Sequence, residues 1–248
     1  MTVSGGSALA SLFAAAEAVI FDVEGVALDA EPMWDAVQEE LLRRRGVRYD
    51  RAAVKPLLTG RSAADAVVVL ADACGLRDDP ADLLRERHAL MRDRLAGGVA
   101  LIPGFRELVE ALVGRRAMAL ATAMDPDLFA VVDRATGLSR LVGGPVATLR
   151  EQADDDTGAA RPVRGKPWPD LFHHASRLLG VPPDRCLVVE DAPNGVTAAH
   201  RAGAPCVAVA TTHSPGLLAE ADAVCDRLTD LLPAATGLLA QEAPNAFR

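Results

Sequence analysis

Two acids one residue apart, Asp22 and Glu24, follow the apolar run Val19-Ile20-Phe21 and precede Gly25. Carboxylates at that spacing, set between a short apolar run and a tight turn, can share nucleophilic, metal-binding and acid/base work. The run reads as a buried parallel strand that delivers Asp22 to its C-terminal edge, where ligands bind in open α/β sheets. Three further segments point to the same edge. Leu120-Ala121-Thr122 is a strand ending in a hydroxyl. Gly165-Lys166-Pro167-Trp168-Pro169-Asp170 holds a lysine in a proline-stiffened loop before a helix. Val188-Val189-Glu190-Asp191 ends in paired acids and is followed by Asn194-Gly195. Taken singly, these are an ordinary strand end, a surface lysine and a pair of helix caps. Their order along one sheet edge is what makes them a candidate site.

The elements that must position these residues follow from periodicity. After the first strand, residues 30–100 show helical spacing and no convincing strand. Asp35–Arg45 is amphipathic and stops at Gly46. Ser62-Ala63-Ala64-Asp65 opens a second helix that ends near Gly75. Asp79-Pro80 opens a third, with proline at the first helical position, running to about Leu95. From Pro103-Gly104 onward, helix and strand alternate: helix Phe105–Val113, strand Ala117–Ala123, a helix capped by Asp125-Pro126, helix Asp170–Leu179, strand Cys186–Asp191, helix Gly195–Ala202, strand Cys206–Ala210, and a helix beginning at Ser214-Pro215. Such alternation implies a doubly wound parallel α/β sheet covered on both faces. The expected organisation is an α/β core at 1–29 and 104–248 with a helical domain inserted at 30–103. Residues 143–164, rich in Gly, Asp and Arg, read as a long loop.

Composition narrows the class of partner. The 248-residue chain is half hydrophobic and carries a net charge of −8. That length can bury a sizeable core, and no apolar run is long enough to cross a membrane. The Ser11–Ile20 stretch lacks a basic flank and runs into the acidic motif, so it belongs to the fold rather than to a signal peptide. The negative charge argues against a nucleic-acid backbone as partner, whereas local donors and a metal still allow a small anionic substrate. Cys74, Cys186, Cys206 and Cys225 are widely spaced and fit reduced thiols in a cytoplasmic protein. His88, His173, His174, His200 and His213 show no metal-ligand spacing and read as residues on helix surfaces or near termini.

With the four segments in this order, and helices inserted after the first, the chain resembles the haloacid dehalogenase superfamily. The resemblance runs from about Ala18 to Ala210. It is nearest to the helical-cap branch of phosphosugar mutases and sugar-phosphate phosphatases, and it implies a Rossmann-like core. It also implies that Asp22 is a nucleophile forming an aspartyl-phosphate. Mg²⁺ would be held by the Asp22 side chain, the Glu24 carbonyl and Asp191, with Glu190 as a further ligand or orienter. Thr122 and Lys166 would hold the transferring phosphoryl oxygens. Glu24 stands where this branch usually has Asp, and would be the general acid/base with a longer reach. An acid there favours phosphoester hydrolysis over cleavage of a carbon–halogen or carbon–phosphorus bond. Candidate substrate contacts are Trp34, Arg61, Ala123 and Asn194, and Trp34, Met124 and Trp168 are candidates for an apolar wall. The reading is therefore a hydrolase of a small phosphorylated metabolite, by default a sugar phosphate, acting as a monomer or small homo-oligomer. A phosphosugar mutase and a non-catalytic binding protein of the same fold are the alternatives.

Overall fold

The computed structural model describes residues 6–58, 63–149, 152–154, 160–162 and 164–241. The described residues begin with α1 (Gly6–Ala15) and β1 (Ala18–Asp22). Four helices follow, α2 (Glu31–Arg43), α3 (Arg51–Leu58), α4 (Ala63–Cys74) and α5 (Pro80–Ala96). Then come α6 (Phe105–Leu112), β2 (Ala117–Ala121), α7 (Pro126–Thr136), α8 (Leu138–Val142) and β3 (Val146–Ala147). A short antiparallel pair, β4 (Gln152–Asp154) and β5 (Ala160–Pro162), precedes α9 (Asp170–Leu179). The chain continues through β6 (Cys186–Glu190), α10 (Pro193–Arg201), β7 (Cys206–Val209), β8 (Ala223–Cys225) and α11 (Leu232–Gln241). It divides into two compact units, Met1–Leu28 with Leu101–Met124 and Leu138–Arg248, and Asp29–Ala100 with Asp125–Gly137.

The first unit is an α/β layer structure around a six-stranded sheet of order β3-β2-β1-β6-β7-β8, with every pairing parallel. β1 is buried at all five positions, as a central strand of a sheet covered on both faces must be. Its side chains alternate between the two faces. Ala18 and Ile20 join one core with Leu171, Phe172 and Ala175 of α9 and Val196, Ala198 and Ala199 of α10. On the opposite face Phe21 meets Phe105 of α6 edge to face, ring centroids 5.3 Å apart, a contact worth about 1 kcal/mol beyond the area it buries. The sheet is thus doubly wound. α1 is part of this unit, burying Leu9 and Phe13.

The second unit is helical. Asp79 caps α5, its Oδ1 accepting from the Ala81 amide at 2.8 Å, and Asp125 caps α7, accepting from the Asp127 amide at 3.0 Å. Asp35 of α2 accepts hydrogen bonds from Tyr49, Arg51 and Lys55 at 3.0, 2.7 and 2.9 Å. Desolvation alone would raise its carboxyl, but these donors outweigh it and hold the group below the ordinary carboxylate range.

Several expectations need correction. α3 is a fourth helix in the inserted segment; it is only eight residues long and contains Pro56, so its periodic signal is weak. α7 packs on α5 in the helical unit rather than in the core, because a periodic pattern gives a helix but not the unit its apolar face joins. The stretch read as a 143–164 loop contains β3, β4 and β5, strands of two or three residues that are too short for alternation to register. The helix expected from Ser214-Pro215 is a single 3₁₀ turn, Pro215–Leu218, since the chain must return within a few residues to pair Ala223 with Val207. The capping role expected of Ser62 lies outside the described residues.

Candidate active site

The parallel register brings the motif residues level with one another. Asp22 pairs with Ala121, so Thr122 is the next residue at the end of the neighbouring strand. Phe21 pairs with Val189 on the other side, which sets Glu190 beside Asp22. Thr122 is buried; its amide donates to the Ala147 carbonyl at 3.0 Å and its Oγ1 accepts from the Met124 amide at 3.0 Å. Ala123 is exposed immediately beyond it, and Asn194 is half-buried in the first turn of α10.

Lys166 joins two of the strand ends. Its ammonium donates to Asp22 Oδ1 and to Glu190 Oε1; both carboxylates are buried and the lysine side chain is largely so. It is one of only two lysines in a chain with 26 basic residues. The other oxygen of Glu190 accepts from the amides of Asp191 and Ala192 at 2.9 and 3.1 Å. Glu190 is wholly buried, and its carboxyl occupies the space that a side chain at position 195 would need: a Cβ on Gly195 would lie 1.9–2.2 Å from it. The loop behind Lys166 is tied down from both ends. Asp170 receives a bidentate pair from Arg164 at 2.9 and 2.8 Å, and Arg201 donates to the Pro167 carbonyl at 2.9 Å.

After Asp22 the chain turns back sharply. The amides of Ala27 and Leu28 donate to the Val23 carbonyl at 3.0 and 2.8 Å, and the Gly25 amide donates to the Leu28 carbonyl at 2.8 Å. This turn carries Glu24, which is partly exposed and near enough to Asp22 to act on its charge. Gly25 has φ +85°, a conformation that residues with a Cβ rarely adopt.

Asp22, Glu190 and Asp191 each bring a carboxylate oxygen within 4.8 Å of the others. Burial pushes the Asp22 carboxyl up to about 7, the pull of Lys166 notwithstanding, with Glu190 and Glu24 adding to the rise. Asp191 is raised as well, by burial and then by the charges of Glu190 and Asp22. Lys166 is held above the ordinary lysine range: burial alone would lower it, but Asp22 and Glu190 outweigh that. With all three acids ionised, this one ammonium leaves two negative charges uncompensated, the charge of one divalent cation. Buried, oxygen-only donors suit a hard ion such as Mg²⁺. The residues present therefore fit that metal.

Arg61 lies outside the described residues. Trp34 belongs to the helical unit, where the Arg87 guanidinium lies 4.0 Å over its ring. Trp168 is half exposed, with the Arg164 and Arg201 guanidinium groups 4.1 and 5.7 Å from its ring centroid. His213, expected to be peripheral, lies beside the site with Nδ1 3.0 Å from the Asp191 carbonyl. Thr211 and Thr212 also reach the site and were missed. They follow the end of β7, another parallel strand, so the strand-end signal that marks Thr122 applied to them too.

Comparison with known proteins agrees with this geometry. The family model for haloacid dehalogenase-like hydrolases matches residues 16–203. Validoxylamine A 7'-phosphate phosphatase of Streptomyces hygroscopicus subsp. limoneus is 31% identical over 86% of this chain and 94% of its own. Fructose-1-phosphate phosphatase YqaB of Escherichia coli is 32% identical over 77% of this chain and 95% of its own. The crystal structure of CbbY from Rhodobacter sphaeroides in complex with phosphate superposes with a TM-score of 0.69 at 27% identity, covering 89% of this chain and 99% of that one. With the family model spanning most of its length and the strand-end acids in the expected order, the chain belongs to the haloacid dehalogenase-like hydrolases.

Proposed function

We propose that the protein is a Mg²⁺-dependent phosphatase that hydrolyses a small phosphorylated metabolite, with a sugar phosphate as the default substrate, through an aspartyl-phosphate on Asp22. The observation that carries this reading is the buried cluster of Asp22, Glu190 and Asp191 around the Lys166 ammonium at the C-terminal edge of a parallel sheet. The phosphatase names of the relatives support it.

In this reading an Asp22 oxygen attacks phosphorus while the bond from phosphorus to the leaving oxygen breaks, and Glu24 gives that oxygen a proton. Water then attacks phosphorus, Glu24 takes a proton from it, and the Asp22–phosphorus bond breaks to release inorganic phosphate. The side chains of Asp22 and Asp191 and the Glu24 carbonyl would hold Mg²⁺, which when bound neutralises repulsion between carboxylate and phosphate. Lys166 and the Thr122 hydroxyl stabilise charge on the transferring oxygens. Lys166 also favours the ionised form of Asp22. Specificity is assigned to the helical unit, whose insertion point in the chain follows the turn that bears Glu24.

The test is phosphate release from a broad panel of phosphorylated metabolites, with Mg²⁺ and with EDTA. Metal-dependent release from one or more compounds is expected. No release from any of them would overturn the phosphatase reading.

A further inference from the structure

We propose that Thr212 is a positioning residue for the divalent cation, acting through Asp191; the proposal rests on the metal-dependent reading above. The Thr212 hydroxyl donates to Asp191 Oδ2. The other side of that carboxylate is backed by Gly25: a Cβ there would lie 2.0 Å from Oδ2 and 2.9 Å from the Thr212 methyl. Asp191 Oδ2 is therefore wedged between a bare glycine and a hydroxyl. Asp191 Oδ1 has no hydrogen bond among the described residues and remains for the cation.

The neighbouring residues hold the hydroxyl in this role. A threonine has one proton to give. With that proton on the Asp191 carboxylate, His213 Nδ1, 2.8 Å from Thr212 Oγ1, must be the donor to it, and the same N–H reaches the Asp191 carbonyl at 3.0 Å. Thr211 turns the other way and donates to the Gly25 carbonyl. Successive threonines beyond β7 thus fasten two different elements, the Asp191 carboxylate and the turn that carries Glu24. Hydrogen bonds to a ligating carboxylate fix its orientation, and their loss typically weakens metal binding. None of this needs Thr212 to touch metal or substrate.

The test is titration calorimetry of the full chain with MgCl₂, together with melting in EDTA. Thr212→Val removes the hydroxyl and keeps the shape; it should weaken Mg²⁺ binding by about 10- to 100-fold. Thr212→Ser keeps the hydroxyl and should bind as the wild type does, a rescue that packing alone would not give. If Thr212→Val does not fold in EDTA, Thr212→Ala compared with Thr212→Ser isolates the same hydroxyl. Wild-type binding with equal affinity in the variant lacking the hydroxyl would overturn the proposal and leave the metal site intact. Equal weakening in the serine variant would overturn it as well. No Mg²⁺ binding by the wild type would sink the metal reading itself, and the proposal with it.

Discussion

The ammonium of Lys166 is hydrogen-bonded to the carboxylate of Asp22, across 144 residues of sequence. The same ammonium serves Glu190, which has no exposure to solvent. Removing one partner of a buried ion pair leaves the other charge uncompensated. Lys166→Ala should therefore lower stability by about 3–5 kcal/mol at neutral pH, measured by denaturant unfolding in EDTA. It should also abolish phosphate release. A stability loss no larger than that of a surface lysine variant would contradict the buried pairing.

Gly195 sets the depth at which Glu190 sits. An alanine there would place its Cβ about where the Glu190 carboxyl now lies. Gly195→Ala should cost about 1–3 kcal/mol through overpacking, and it should reduce turnover by displacing Lys166 from Asp22. Thermal melting and steady-state rates check both effects. A variant as stable and as active as the wild type would show that Glu190 has room to move.

Glu24 is predicted to be the proton donor and acceptor. Glu24→Ala should slow hydrolysis by about 10²-fold or more, while Glu24→Asp should retain part of the rate. Equal rates in wild type and Glu24→Ala would remove it from the mechanism.

The strands that carry this site were legible because each ends in a residue that does not belong in a buried strand. Asp22, Thr122 and Glu190 all break apolar runs at their C-terminal ends, and parallel pairing then sets them side by side. Lys166 was legible by its setting between Gly165 and Pro167. Glu190, expected as a metal ligand or orienter, lies in the acidic cluster and is also bonded to Lys166 and two amides. Those hydrogen bonds are ones that no spacing rule contains. Thr212 carries the same strand-end signal, but its bond to Asp191 links the segments that follow two different strands, which no local pattern contains. β3 escaped notice because its two residues owe their strand geometry to β2, not to local pattern.

The helical unit carries its own pH dependence. The folded-state pKa of Asp35 lies below its unfolded value because Arg51, Lys55 and Tyr49 outweigh desolvation. Its contribution is therefore present above the unfolded value, about 3.9, and is lost as pH falls through the lower folded value. Asp35→Asn should reduce stability at pH 7 by about 1 kcal/mol, the upper range for partly exposed ion pairs. The difference between variant and wild type should shrink as the pH falls below about 4. A difference independent of pH would mean that the carboxylate charge contributes nothing.

The most direct test of the account is to look for the phosphoryl group on Asp22. The protein is mixed with its best substrate and Mg²⁺, quenched in acid within the first turnover, digested and analysed by mass spectrometry. The account predicts one added phosphoryl group on the peptide containing Asp22, labile to hydroxylamine and absent from Asp22→Asn, which should also release no phosphate. Continued turnover by Asp22→Asn, or a phosphoryl group on another residue, would contradict it.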